Sequence, residues 1–253
     1  MRSLLFLGSA SGVGKTTLAA AYCRYLGRKG VKVAPFKGSN LSLNSYVTQN
    51  GEEIGMGQAA QAWACGLEPT ADMNPLLLKP SGGSLQAVVL GKPRTDLKRG
   101  SQRPDFSDEV YAAYDRLAAE YDFIVCEGSG SPVELNLMER DVANTGLMRA
   151  RGTEAVLVAD IERGGVFAAV YGTWKLMPDD VRPLMTKFII NRFRGDPAIL
   201  APGIERIEEL TGMKCIGIVP FRRVRMPEED SVSLSGGALG GRDPRDVMLE
   251  DLD

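Results

Sequence analysis

The chain has 253 residues, 44% apolar and 25% charged, and carries Lys+Arg 30 against Asp+Glu 32, a formal net charge of -2. That is ordinary globular composition, with no basic excess to read as a footprint for nucleic acid or an anionic membrane. It contains no histidine, which excludes within this chain the serine-hydrolase triad, the zinc-hydrolase site and the Cys-His pair of a glutaminase.

In chain order, Leu4–Leu7 reads as a short buried strand, followed by a Gly-rich turn and a helix over Thr16–Lys29. Val31–Phe36 reads as a strand, Glu109–Glu120 as a helix and Phe123–Cys126 as a strand. Ala155–Ala159, Lys187–Asn191 and Cys215–Val219 are further short apolar runs, with helices expected around Val166–Leu176 and Ile204–Leu210. Buried runs alternating with helices predict an α/β fold, a mostly parallel sheet with helices on both faces. Gly38–Gly57 and Pro80–Pro104 are expected as long functional loops. The basic cluster from Arg94 through Lys98, Arg99 and Arg103 reads as a solvated loop. Residues 1–234 are read as one domain, and 235–253, Gly-rich and then charged, as a flexible tail or linker stub.

No targeting pattern stands at Leu4–Leu7, and no apolar stretch approaches the roughly 20 residues a membrane helix needs. Cys23, Cys65, Cys126 and Cys215 are far apart, with no C-x-x-C pair. Reduced thiols in a cytoplasmic protein are expected, all four serving as packing residues.

The chemistry concentrates in Gly8-Ser-Ala-Ser-Gly-Val-Gly-Lys-Thr-Thr17, between the first strand and the first helix. Backbone N–H groups of Ser11, Gly12, Val13, Gly14, Lys15, Thr16 and Thr17 are candidates to cradle phosphates, aided by the helix dipole. Lys15 would add a point charge at the β- and γ-phosphates, and the Thr16 hydroxyl would ligate Mg²⁺, so ATP with Mg²⁺ is the expected pair. The leading glycine of the pattern is displaced by one: Ser9 stands where it should be, with Gly8 before it. Position 11 is Ser, so the second lysine of partition-type ATPases is missing.

Glu127 closes the strand Phe123–Cys126, where a carboxylate would reach the same magnesium; a solvated strand-end Glu is the alternative. Asn191 ends another apolar run and is a candidate for the N6/N7 edge of adenine, against a plain turn Asn. The guanine motif N-K-x-D is not met, since Arg194 takes the Asp position.

Seven further blocks coincide with this loop: Pro35–Thr48, Glu53–Gln61, Asp72–Pro80, Cys126–Pro132, Asp160–Phe167, Asn191–Asp196 and Pro227–Asp230. Together they closely resemble the N-terminal synthetase domain of the cobyric acid synthase family, dethiobiotin-synthetase-like amidoligases, from about Leu4 to Asp230. The resemblance implies ATP-dependent amidation of peripheral carboxylates on a corrin a,c-diamide through an acyl phosphate. It implies that Lys37 contacts substrate carboxylate or transferring phosphate, and that Asp141 and Asp160 are active-site acids. A helix-capping Asp141 and a strand-end turn at Asp160 stay open. Family members usually continue into a glutaminase domain with a Cys-His-Glu triad, which a chain without histidine cannot supply. Ammonia is expected from solution, a separate glutaminase subunit or a missing domain; a homodimer is left open. The same phosphorylation on another carboxylate or tetrapyrrole, and a non-catalytic nucleotide switch, are the competing readings.

Overall fold

The apolar runs become short strands, and the Gly-rich segments between them become turns or helix starts. The protein is described by a computed structural model over residues 2–81, 84–97, 104–227 and 243–253. In chain order the first half contains β1 (Arg2–Gly8), α1 (Lys15–Arg28), β2 (Val33–Phe36), β3 (Ser39–Leu41), β4 (Ser45–Val47), β5 (Glu53–Gly55), α2 (Met56–Ala64), β6 (Leu76–Ser81), β7 (Ser84–Val89) and β8 (Lys92–Leu97). The second half contains α3 (Ser107–Glu120), β9 (Phe123–Glu127), α4 (Thr145–Arg151), β10 (Glu154–Asp160), α5 (Val166–Leu176), β11 (Met185–Phe193), α6 (Ala201–Thr211), β12 (Lys214–Pro220) and α7 (Pro244–Leu252). The chain divides into two units: Met1–Arg2, Thr16–Cys126 and Val224–Asp253 form the first, Ser3–Lys15 and Glu127–Arg223 the second.

In the second unit the strands run β12-β11-β10-β1, all parallel. Val156, Leu157, Val158 and Ala159 are wholly buried, as are Leu5 and Leu7 on one side of β10 and Phe188 and Ile190 on the other. Such continuous burial is what a parallel strand covered on both faces requires, and each leucine contributes roughly 1.5–3 kcal/mol. The carboxyl ends of these strands collect Gly8, Asp160 and Asn191, the side of a parallel sheet where ligands gather.

In the first unit β2 pairs in parallel with β9. Phe36 is wholly buried and meets the Tyr114 ring of α3 edge-on at 5.3 Å. A separate sheet has the order β3-β6-β7-β8, parallel between β3 and β6 and antiparallel beyond. Its last strand, β8, presents Lys92, Pro93 and Arg94 to solvent. β4 and β5 form an antiparallel pair, and the buried Ile54 of β5 shares a cluster with Ala59, Tyr46 and Trp63.

Two expectations need correction. The stretches read as long loops, 38–57 and 80–104, contain β3, β4, β5, β7 and β8. Three of these strands have only three residues, and the β7–β8 turn is Leu90-Gly91, with φ 47 and 73. Two left-handed residues make the turn that matches strand twist, but the Asn-Gly or Asp-Gly signature is absent. The stretch read as a flexible tail forms α7 over Pro244–Leu252, with Val247 and Met248 buried. Asp253 accepts from Arg24 at 2.8 Å and from Arg28 at 2.7 Å, both on α1. Residues 235–242 of the tail reading, Lys98, Arg99 and Arg103 of the basic cluster, and Glu228–Asp230 of the last motif lie outside the described residues. Among the described residues no helix is long and apolar enough to cross a membrane.

Candidate nucleotide site

The turn after β1 is held at its start by Ser9, whose N–H donates to the Val158 carbonyl at 2.9 Å. Gly12 and Gly14 follow with φ of 73° and 98°, left-handed backbone that side-chain-bearing residues avoid. Nothing lies within 4 Å of where a Cβ on Gly12 would stand. A glycine turn of this kind before a helix suits a phosphate chain. Lys15, the first residue of α1, is 7% exposed. Its ammonium donates to the carbonyl oxygens of Gly130 at 2.9 Å and Ala10 at 3.3 Å.

Asn191 reaches this loop from β11. Its Nδ2 donates to the Val13 carbonyl at 2.8 Å, and its Oδ1 accepts from the Arg192 N–H at 2.9 Å. The amide of Asn191 is therefore engaged with the phosphate loop, a contact invisible in the sequence because 178 positions separate the partners.

Glu127 is 1% exposed, so the solvated strand-end alternative does not apply. The next residue, Gly128, packs its Cα against the carboxamide oxygen of Asn144, and a Cβ there would overlap it. Asn144 donates from Nδ2 to the Ser129 carbonyl at 2.9 Å. It is 5% exposed, and its Oδ1 is a buried oxygen with no hydrogen-bond partner. No signal in the sequence marks Asn144, which stands three positions after Asp141.

Asp141 behaves as the capping alternative requires. Its carboxylate accepts from the backbone N–H groups of Ala143 (3.0 Å), Asn144 (2.9 Å) and Gly146 (3.1 Å) and from the Thr145 hydroxyl (2.9 Å). These are donors at the start of α4, left without intrahelical partners. Asp160 accepts from the Glu162 N–H at 2.8 Å and from Arg192 Nη1 at 2.7 Å, combining a strand-end turn with an ion pair.

Lys37 follows β2 in the first unit and is 4% exposed. Its N–H donates to the Met73 carbonyl at 2.9 Å, and its own carbonyl accepts from Asn74 Nδ2 at 3.0 Å. Asn74, wholly buried, also donates to Leu76 O at 3.2 Å and accepts from the Gly55 N–H at 2.9 Å. Thr16 and Thr17 continue α1 in this unit.

All four cysteines are free thiols. Burial pushes the Cys126 thiol far above its ordinary range, and burial likewise raises Cys215, which fits packing rather than nucleophilic roles. Among the described residues no group of three or more Cys, Asp or Glu could hold a metal by itself. Mg²⁺ bound together with nucleotide phosphates completes its shell with waters and needs no such cluster.

A parallel sheet with a strand–glycine loop–lysine–helix junction defines a P-loop nucleotide-binding protein. The model of the CobQ/CobB/MinD/ParA nucleotide binding domain matches residues 4–233, and the chain belongs to that family. It is 52% identical over 237 residues to a probable cobyric acid synthase of Methanoculleus marisnigri, covering 92% of this chain and 48% of that protein. To the probable cobyric acid synthase of Methanosarcina acetivorans it is 50% identical over 253 residues, 98% of this chain and 52% of that protein. The chain thus spans about half the length of these relatives. Chloroplast FtsY from Physcomitrella patens superposes with a TM-score of 0.51 at 16% identity, covering 99% of this chain and 65% of that one, a likeness of fold alone.

Proposed function

We propose that this chain is the ATP-using half of a corrin amidoligase, converting peripheral carboxylates of a corrin a,c-diamide to carboxamides. The observation that carries the reading is roughly 50% identity along nearly the whole chain to probable cobyric acid synthases. A carboxylate is a poor electrophile, and phosphorylation gives it a leaving group. One oxygen of the substrate carboxylate attacks the γ-phosphorus, the bond to the β–γ bridging oxygen breaks, and ADP leaves. Ammonia then attacks the acyl carbon, the acyl C–O bond to phosphate breaks, and amide and phosphate separate with loss of a proton.

The residues supply mainly position and charge. N–H groups of Ser11, Gly12, Val13 and Gly14 hold the β- and γ-phosphates, and Lys15 exchanges its carbonyl partners for phosphate oxygens. Lys37 attracts the substrate carboxylate or the transferring phosphoryl group. By the family resemblance Thr16 and Glu127 are the residues that would hold Mg²⁺, which would neutralise phosphate charge. Asp160 orients Arg192 beside Asn191, and Asp141 acts by holding α4. With no histidine in the chain, ammonia comes from solution, from a separate glutaminase or from another part of a longer polypeptide. The chain is read as acting in the cytoplasm.

The test is incubation with ATP, Mg²⁺, an ammonium salt and a corrin a,c-diamide. Corrin-dependent ADP release, with a mass loss of about one unit for each OH replaced by NH₂, is expected. Without ammonium, scrambling of an ¹⁸O label from the β–γ bridge into the β-phosphate, dependent on corrin, marks the acyl phosphate. ADP release indifferent to every corrin offered would refute the reading.

A further inference from the structure

We infer that Asn191 is a positioning residue for the phosphate loop, setting the direction of the Gly14 N–H by holding the preceding carbonyl. The inference rests on the nucleotide-site reading and adds to the base contact expected from the sequence a role toward the phosphates.

Three observations carry it. Asn191 Nδ2 donates to the Val13 carbonyl at 2.8 Å. In a trans peptide the C=O and the following N–H point in opposite directions within one rigid plane. A Val13 carbonyl held toward β11 therefore turns the Gly14 N–H away from β11.

The room for this contact exists because residue 14 lacks a side chain: a Cβ there would overlap Asn191 Nδ2. Gly14 has φ 98, so glycine answers two demands at once, the left-handed backbone and the approach of the amide.

Asn191 is itself held. Its backbone carbonyl accepts from the Ile161 N–H at 3.2 Å, and its Oδ1 accepts from the Arg192 N–H at 2.9 Å. Arg192 has φ 62, a left-handed conformation that is unfavourable for a residue with a side chain. Arg192 is retained there by its ion pair to Asp160 at 2.7 Å. With Oδ1 fixed as acceptor, the amide presents Nδ2 to Val13, which also settles the direction of the Asn191 flip. Asp160 then acts through Arg192 and Asn191 on the phosphate loop.

The experiment measures binding of ATP, ITP and inorganic tripolyphosphate, each with Mg²⁺, to the wild-type chain and to Asn191→Ala and Asn191→Asp. Tripolyphosphate has no base, so it reports the loop alone. ITP replaces the 6-amino group by oxygen and reports base reading. Asn191→Asp preserves size while removing the donor, and unliganded thermal unfolding checks that each variant is folded. In both variants tripolyphosphate and ATP are expected to lose affinity by a similar factor, about two- to tenfold for one hydrogen bond. A variant that binds tripolyphosphate as the wild type does, yet binds ATP more weakly, overturns the inference and leaves Asn191 a base contact only. A wild-type chain that binds neither ATP nor tripolyphosphate overturns the nucleotide-site reading instead.

Discussion

The ammonium of Lys15 and the carbonyl oxygen of Gly130 are 2.9 Å apart, so the lysine of the phosphate loop is held by the segment that follows Glu127. A neutral carbonyl is a weaker partner for a cation than a phosphate oxygen, so nucleotide binding should transfer the lysine. Lys15→Ala is expected to remain folded while turnover falls about 100-fold or more. Single-turnover ADP release measures this, and turnover equal to wild type would remove the loop from the chemistry.

Asp141 separates structural from chemical roles. Asp141→Ala removes the carboxylate that serves three backbone N–H groups and one hydroxyl. A lost cap costs about 0.5–2 kcal/mol, or a fall of about 1–8 °C in melting temperature for a chain of this size. Turnover measured well below the melting point should drop far less than in Lys15→Ala. A variant with unchanged melting temperature and collapsed kcat would show that the acid takes part in the reaction.

The carboxyl of Glu53 titrates below the usual range. Burial pushes it up, but hydrogen bonds from Lys79 and Ser45 and the charge of Lys79 outweigh burial. A folded-state pKa below the unfolded value, about 4.3, means that stabilisation is fully present above that value. It is lost as pH falls through the folded pKa. Urea midpoints for wild type and Lys79→Met should therefore differ at neutral pH and converge in acid. A constant gap down to pH 3 would deny the linkage.

Asn74 is wholly buried and makes three hydrogen bonds, to Lys37 O, Leu76 O and the Gly55 N–H. Asn74→Ala leaves those groups buried and unserved, at about 1–3 kcal/mol each. A loss of at least about 3 kcal/mol is expected in denaturant unfolding. A shift under 1 kcal/mol would mean that the segment relaxes easily and that Lys37 is positioned by other contacts.

Much of the sheet was legible because a parallel strand buried on both faces leaves an unbroken apolar run, as in Ala155–Ala159, bounded by polar turns. The phosphate loop was legible because its glycines, lysine and threonine are contiguous. Roles fixed by distant partners were not. The backbone N–H groups that Asp141 serves at the start of α4 are set by the local fold and cannot be read from the residue type. Nothing local told that Asn191 grips Val13, or that Asn144 shelters against Gly128. Leu90-Gly91 hid a tight turn because leucine does not advertise left-handed backbone, and α7 was hidden by the charged residues around its two buried side chains.

The rim of the β3-β6-β7-β8 sheet ends on Lys92, Pro93 and Arg94. Proline withholds one amide from any strand that arrives sideways, and two cations repel a second copy of the same edge. Should this protein be concentrated or partly unfolded, fibril growth is expected to start elsewhere, since this border is chemically unsuited to templating.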